Sequence, residues 1–384
     1  MPLERMTQPL GARILIADDQ PHILAALKML LHVKGYQTCS AASPASVLSA
    51  LQQETFDAIV MDLNYSRDTT GGAEGLDLVK RIRKLDQNIP IVVMTAWSSV
   101  DLAVEAMRLG ASDFVQKPWD NNRLLDKVRE QVERGQVLRF SKRQQDEEEA
   151  EAREIQQSLL PRILPPISGY DVSGIMQPAR FVGGDYFDVV PINEKKIAFC
   201  IADAAGKGLS AALLISNLQA ALRSLILKDL SPSEVCSQLN WALSGIMPVN
   251  KFITLFYGVL DISENRFTYC NAGHNPPMLV RNNGQACQLE DSGAVLGQIS
   301  QWSYEQLDLK LHHGDTLLLF TDGLVEVCDE QGNLFGEDQL LQLMKEFSTN
   351  NASALQKFLL ANVSVFCKGS FQDDATMLVL QRSK

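Results

Sequence analysis

Between Asn121 and Ser158 the chain carries no proline and a single glycine, Gly135. A stretch this free of breakers reads as one long helix. It lies near the middle of 384 residues, a length for which two domains of ordinary size are expected. Leu124, Leu125, Val128 and Val132 give its first turns an apolar stripe, whereas Ser141–Glu149 has no apolar residue and ends in DEEE. Ile155, Leu159 and Leu160 then resume an apolar face before Pro161 stops the helix. Such a helix has the length to pair with its twin in a homodimer, but its polar middle interrupts any continuous coiled coil.

Ahead of the helix, strand and helix patterns alternate from Arg13 to about Val132. Strands are expected at Arg13–Ala17, Gln37–Ala41, Ala58–Met61, Pro90–Met94 and Asp113–Val115. Alternation of this kind predicts an α/β doubly wound parallel sheet, whose chemistry gathers at the C-terminal strand ends. There the chain places Asp18 and Asp19 after the first strand and Asp62 after the third; Thr95 follows the fourth and Lys117 the fifth. Three clustered carboxylates call for a divalent cation, and one of them can then attack phosphorus as a nucleophile. Lys117 offsets charge on the transferred group and Thr95 supplies a hydroxyl donor.

These positions resemble the receiver domain of two-component response regulators. The resemblance implies a flavodoxin-like fold over residues 1–132 and a sensor histidine kinase as partner. Asp62 would be the phosphoacceptor, with Asp18, Asp19, Asp62 and the Asn64 carbonyl around one Mg²⁺. Thr95 and Lys117 would bind the phosphoryl oxygens, and Phe114 holds the switch-aromatic position. Lys117-Pro118 is an X–Pro bond, the kind that permits cis. The loop Asn64–Gly75 is longer than the family's usual short turn after the acceptor.

Beyond the helix, aspartates recur beside apolar, strand-like runs. They stand in GGDYFD (Asp185), IADAAGKG (Asp203), FTDGLVE (Asp322) and QDDAT (Asp373 and Asp374). A carboxylate at a strand end lies at the rim of a core, and several gathered together resist ionising unless a cation holds them. Oxygen-only ligation suits Mg²⁺ or Mn²⁺, and two such ions can activate water against a phosphate ester. Any one of these phrases alone fits an ordinary Asp-Gly turn. Many strands interleaved with four helices, at Leu209–Leu227, Ser233–Ile246, Glu337–Lys345 and Ala352–Phe366, predict an α+β sandwich.

Together with DAAGKGLSAAL and NAGHNPP, and in this order, the phrases resemble the bacterial type 2C metal-dependent protein phosphatases related to sporulation phosphatase E. The resemblance implies an αββα sandwich over residues 169–384, after a helical linker at 133–168, and two Mn²⁺ or Mg²⁺ ions. Asp203 would bridge both ions, the Ala204 carbonyl would ligate one, and Asp185 would reach the same ion largely through water. Asp322 and Asp373 would hold the other; Asp374 ranks lower. The substrate class implied is a phosphoserine on a regulatory protein such as an anti-sigma-factor antagonist. EIQQSLLPRILP resembles the regulatory helix that precedes the catalytic domain. Arg180, shortly before Asp185, has the chemistry to clamp a phosphate bidentately, whereas His274, followed by Asn-Pro-Pro, reads as a turn residue.

Two other functions compete. A diguanylate cyclase is suggested by GGDYF, but Tyr186 stands where the GGDEF phrase has glutamate, and TDG and DDAT stay unexplained. A non-catalytic adaptor would need lost ligands, and none of the principal aspartates is missing. A net charge of −11 argues against nucleic acid as a direct partner. No apolar run reaches the roughly 18 residues of a membrane span, and MPLERMTQPLGAR lacks a secretion signal's apolar core. Seven dispersed cysteines without CxxC spacing fit free thiols in a reducing cytoplasm.

Overall fold

The computed structural model describes residues 11–65, 72–96, 100–179, 181–290, 292–347 and 351–383. The chain forms two units, Met1–Asp146 and Glu147–Lys384. In the first, β1 (Arg13–Ala17), β2 (Gln37–Ala41), β3 (Ala58–Asp62), β4 (Ile91–Ala96) and β5 (Asp113–Lys117) alternate with α1 (Pro21–Val33), α2 (Pro44–Gln53), α3 (Ala73–Leu85) and α4 (Val100–Arg108). All neighbours pair in parallel in the order β2-β1-β3-β4-β5, so the order reverses beside β1. Helices cover both faces, which is why β3 is buried at every residue rather than alternately. Leu27 and Leu31 of α1 pack on one face with Leu124, Val128 and Val132. Val47, Val79 and Ile82 cover the other. Local chemistry agrees with the packing: α2 starts at a Ser43 capping box, with Pro44 in its first turn.

Helix α5 runs unbroken over Asn121–Leu159. Arg139 pairs with Asp57, whose other oxygen accepts from the Arg13 amide at 2.6 Å. At the helix end the expected apolar face forms only in part: Leu160 packs against two of the cores of the second unit. Ile155 is 59% exposed, and the buried residue is its neighbour Gln156, at 8%.

The second unit comprises two five-stranded sheets. Strands β7 (Asp185–Pro191), β8 (Lys196–Ala204), β9 (Ile253–Asp261), β10 (Arg266–Ala272) and β13 (Leu307–Lys310) make one, in the order β13-β10-β9-β8-β7. The other, β12-β11-β14-β15-β6, uses β6 (Tyr170–Gln177), β11 (Met278–Val280), β12 (Ala286–Gln288), β14 (Thr316–Phe320) and β15 (Ala375–Arg382). Between the sheets lie Phe187, Phe199, Phe256, Phe267, Leu317 and Leu378. Phe256 and Phe267 stack at 6.3 Å. Helices α6 (Leu209–Ile226) and α7 (Pro232–Ser244) cover the first sheet; α8 (Glu337–Glu346) and α9 (Ala352–Phe366) cover the second. This is the αββα sandwich. Strand β12 is too short to stand out in sequence, and β13 pairs with β10 from Leu307 to Lys310.

One expectation needs correcting. α6 is long and apolar enough to cross a membrane by length and composition, with mean hydropathy 1.4 over 18 residues. Ser210, Ser216, Asn217 and Arg223 interrupt any uniform run, which hid it from a search for continuous apolar sequence. Its apolar face is used in packing: Ala211, Ile215, Leu218 and Leu222 are buried in the core against the first sheet.

Candidate functional site

At the C-terminal ends of β1 and β3, Asp18, Asp19 and Asp62 bring carboxylate oxygens within 4.8 Å of one another. The Lys117 ammonium donates to Asp18 at 2.6 Å and to Asp62 at 2.8 Å. Burial pulls the Lys117 pKa down, but these two carboxylates outweigh it and the net shift is upward. Burial raises Asp62 above the ordinary carboxylate range, with Lys117 opposing and Asp18 adding to the rise. Thr95 is buried, and Phe114 packs half-buried against the core beneath the Lys127 ammonium, 5.4 Å from its ring centre. Tyr65, which nothing in the sequence singled out, is buried at the start of the long loop; desolvation and then the charge of Asp62 push its hydroxyl pKa far up. Of that loop, residues 66–71 lie outside the described residues. The Lys117-Pro118 bond is cis.

In the second unit the sheet itself brings the first two aspartates together. β7 and β8 pair with Asp185 directly opposite Asp203, and Asp203 in turn faces Thr254 of β9. Asp203 is therefore inside a strand that continues through Ala204. Pairing on both sides extends it. Asp322 opens a single 3-10 turn, Asp322–Leu324, directly after β14. Gly323 has to be glycine here, because a side chain would collide with the Asp374 carbonyl. Asp373 and Asp374 lie just before β15.

The electrostatics betray the crowding. Burial raises Asp185 well above the usual range and the Asp203 charge adds to it, while a 2.7 Å hydrogen bond from the Thr321 hydroxyl opposes. Burial, then Asp322, Asp373 and Asp374, lift Asp203 to about 7. Asp322 is raised by burial, then by Glu326 and Asp373. Among the described residues, though, no trio here is as tight as the one around Asp62. A site for two ions spaced roughly 3.5–4 Å apart spreads its carboxylates more widely than a site for one. The donor set is all oxygen and over-acidic, which suits hard divalent cations.

Asp374, ranked lower from sequence, is nearly buried and accepts from the Ala179 amide at 2.8 Å and the Gly184 amide at 2.6 Å. It holds backbone together. Lys207, from the GKG phrase, pairs with Asp373 at 2.7 Å and donates to the Gln372 carbonyl at 2.9 Å. Neither Lys207 nor Thr321 was singled out from sequence, although both sit inside quoted motifs, IADAAGKG and FTDGLVE. His274 is buried, its Nδ1 2.8 Å from the Thr254 hydroxyl, and its backbone exchanges two hydrogen bonds with the Asn271 side chain. Burial lowers its pKa to about 4, in keeping with a turn residue. Arg180 lies outside the described residues.

Comparison with known proteins agrees with both halves. The family profile described as response regulator receiver domain matches residues 14–129, and that of Stage II sporulation protein E (SpoIIE) matches residues 193–383. Phosphoserine phosphatase RsbU of Bacillus subtilis is 33% identical over 232 residues, spanning 60% of this chain and 69% of RsbU. The chain belongs to the SpoIIE phosphatase family. It is a response regulator whose output is a metal-dependent protein serine/threonine phosphatase of the type 2C class. Its receiver half is 32% identical to Sporulation initiation phosphotransferase F of B. subtilis over 120 residues, 93% of that protein and 31% of this one. Among solved structures, the RsbU and RsbW domains of Rv1364c from Mycobacterium tuberculosis superpose with a TM-score of 0.51 at 25% identity, covering 59% of this chain and 63% of that one. Membership in SpoIIE disfavours both the cyclase and the adaptor readings.

Proposed function

We propose that the second unit hydrolyses a phosphoserine on a regulatory protein, such as an anti-sigma-factor antagonist, using two Mn²⁺ or Mg²⁺ ions. Asp203 would bridge the ions, with Asp185 and the Ala204 carbonyl on one and Asp322 and Asp373 on the other. Bound there, the ions supply activated water and neutralise charge developing on the phosphate. The residues do the rest. The Thr321 hydroxyl orients Asp185, Asp374 fixes the backbone that presents it, and Lys207 offsets carboxylate charge at the solvent side. Arg180 is proposed to receive the phosphate. The observation that carries this reading is Asp203, which faces Asp185 across the β7–β8 pair and is raised to about 7 by burial and then by carboxylates from two other segments, Asp322 and Asp373–Asp374.

For the first unit we propose that a sensor histidine kinase phosphorylates Asp62, with Mg²⁺ held by Asp18, Asp19, Asp62 and the Asn64 carbonyl. Lys117 and Thr95 would then bind the phosphoryl oxygens and Phe114 would repack. The long helix is the proposed route to the output, and dimerisation through it and a cytoplasmic location complete the proposal. Changing such a switch from mostly off to mostly on takes about 5 kcal/mol of differential stabilisation.

The test is hydrolysis of a phosphate ester and a phosphoserine protein by the purified chain, with Mn²⁺, Mg²⁺ or chelator. Turnover in Mn²⁺ that chelator removes is expected; metal-independent turnover would rule out the ion site. Equal rates with and without acetyl phosphate, in wild type and Asp62→Ala alike, would rule out the switch.

A further inference from the structure

From Ser141 to Leu160 the chain has one buried residue, and it is a glutamine. Gln156 spends both ends of its amide on one backbone unit. Its Nε2 donates to the Gly183 carbonyl at 2.6 Å, and its Oε1 accepts from the Gly183 amide at 2.8 Å. The next peptide is held as tightly. The Gly184 amide donates to Asp374 at 2.6 Å, and the Gly184 carbonyl accepts from the Ala204 amide at 2.9 Å. Asp185 follows immediately, opposite Asp203. No side chain at Gly183 fits, since it would run into the Asp374 carboxylate and the Met176 methyl. The two-glycine turn is therefore clamped between helix α5 on one side and Asp374 on the other.

The buried Gly183 amide and carbonyl would each carry a desolvation penalty if left unpaired, and Gln156 satisfies both, while Ile155 next to it is left in solvent. We infer that Gln156 is a positioning residue for the phosphatase metal site: through Gly183 it fixes the turn that carries Asp185, so that metal affinity depends on the seating of this last helical turn. The inference rests on the ion-site reading above and names the residue by which α5 acts on it.

The experiment uses the full chain carrying Asp19→Asn, which removes the receiver ion from the count. Free Mn²⁺ is measured by electron paramagnetic resonance during titration, alongside hydrogen exchange of the Gly183 amide. In this background Gln156→Met, which leaves both Gly183 groups unpaired, should weaken Mn²⁺ binding by about tenfold or more, as lost supporting hydrogen bonds around metal ligands do. Gly183 exchange should quicken with it. Gln156→Glu keeps an acceptor for the Gly183 amide but loses the donor, and should fall between; it decides the matter if Gln156→Met does not fold. Wild-type Mn²⁺ affinity in both variants would overturn the proposal, even if their melting temperatures in chelator drop, because that is what a purely structural role predicts. Absence of Mn²⁺ uptake before Gln156 is touched would instead sink the ion-site reading.

Discussion

The two acidic centres of this protein solve the same electrostatic problem in opposite ways. Around Asp62 three carboxylates crowd within 4.8 Å, but Lys117 reaches in and bonds two of them. Around Asp203 the carboxylates stand further apart, and the cation touching them, Lys207, is half-exposed and pairs with the outermost, Asp373. The first centre carries its own counter-charge and needs an ion only to act. At the second, no cation among the described residues pairs with Asp185 or Asp203, and burial with neighbouring carboxylates raises both, so an ion binding there competes with protons.

The contrast can be broken most directly with Asp203→Asn. Turnover in Mn²⁺ should fall to background, while in chelator at pH 8 the variant should melt higher than wild type, because a crowded charge has gone. A lower melting temperature would mean that the acidic cluster is not strained when metal-free. Lys117→Met should do the reverse. Leaving Asp18 and Asp62 buried without their cation costs about 3–5 kcal/mol, read as a drop in melting temperature of the first unit.

A smaller effect follows from pH. The Asp203 carboxyl is near 7 when folded and near the ordinary value of about 3.9 when unfolded. The folded state therefore binds the extra proton between those values, and its stabilising contribution is lost as pH rises through about 7. In chelator, calorimetry should show the second unit melting lower at pH 8 than at pH 5.5, with saturating Mn²⁺ reversing the trend. Stability that rises with pH in chelator would contradict the crowding. Smallest is Lys207→Ala. A half-exposed pair contributes no more than about 1 kcal/mol, so Mn²⁺ affinity should shift less than about tenfold; complete loss of binding would make Lys207 integral to the site.

Much of this was legible because some residues announce their surroundings. Asn351 caps α9 by accepting from the Ala354 amide, and the helix runs over Ala352–Phe366, as its pattern predicts. Three of the parallel strands, β1, β3 and β4, sit where continuous apolar runs lead to Asp18, Asp62 and Thr95. Asp203 was harder: the strand reaches past it only because β7 and β9 pair on either side. Thr321 and Gln156 lie inside quoted phrases, FTDGLVE and EIQQSLLPRILP, but nothing in the sequence gave either a role. A threonine before Asp-Gly and a glutamine on a charged helix look solvated until the chain brings Asp185 and Gly183 to them.

Periodicity and motif order were enough for the two folds and for which aspartates matter, since burying apolar stripes and placing turns are local matters of pattern. What only folding decided is charge state and support. Whether a carboxylate is paired, crowded or clamped depends on groups far away in sequence. Lys117 lies 99 residues from Asp18, and Thr321 lies 136 from Asp185. Coulomb and hydrogen-bond energies act over a few ångströms of space, and sequence separation carries no information about that distance.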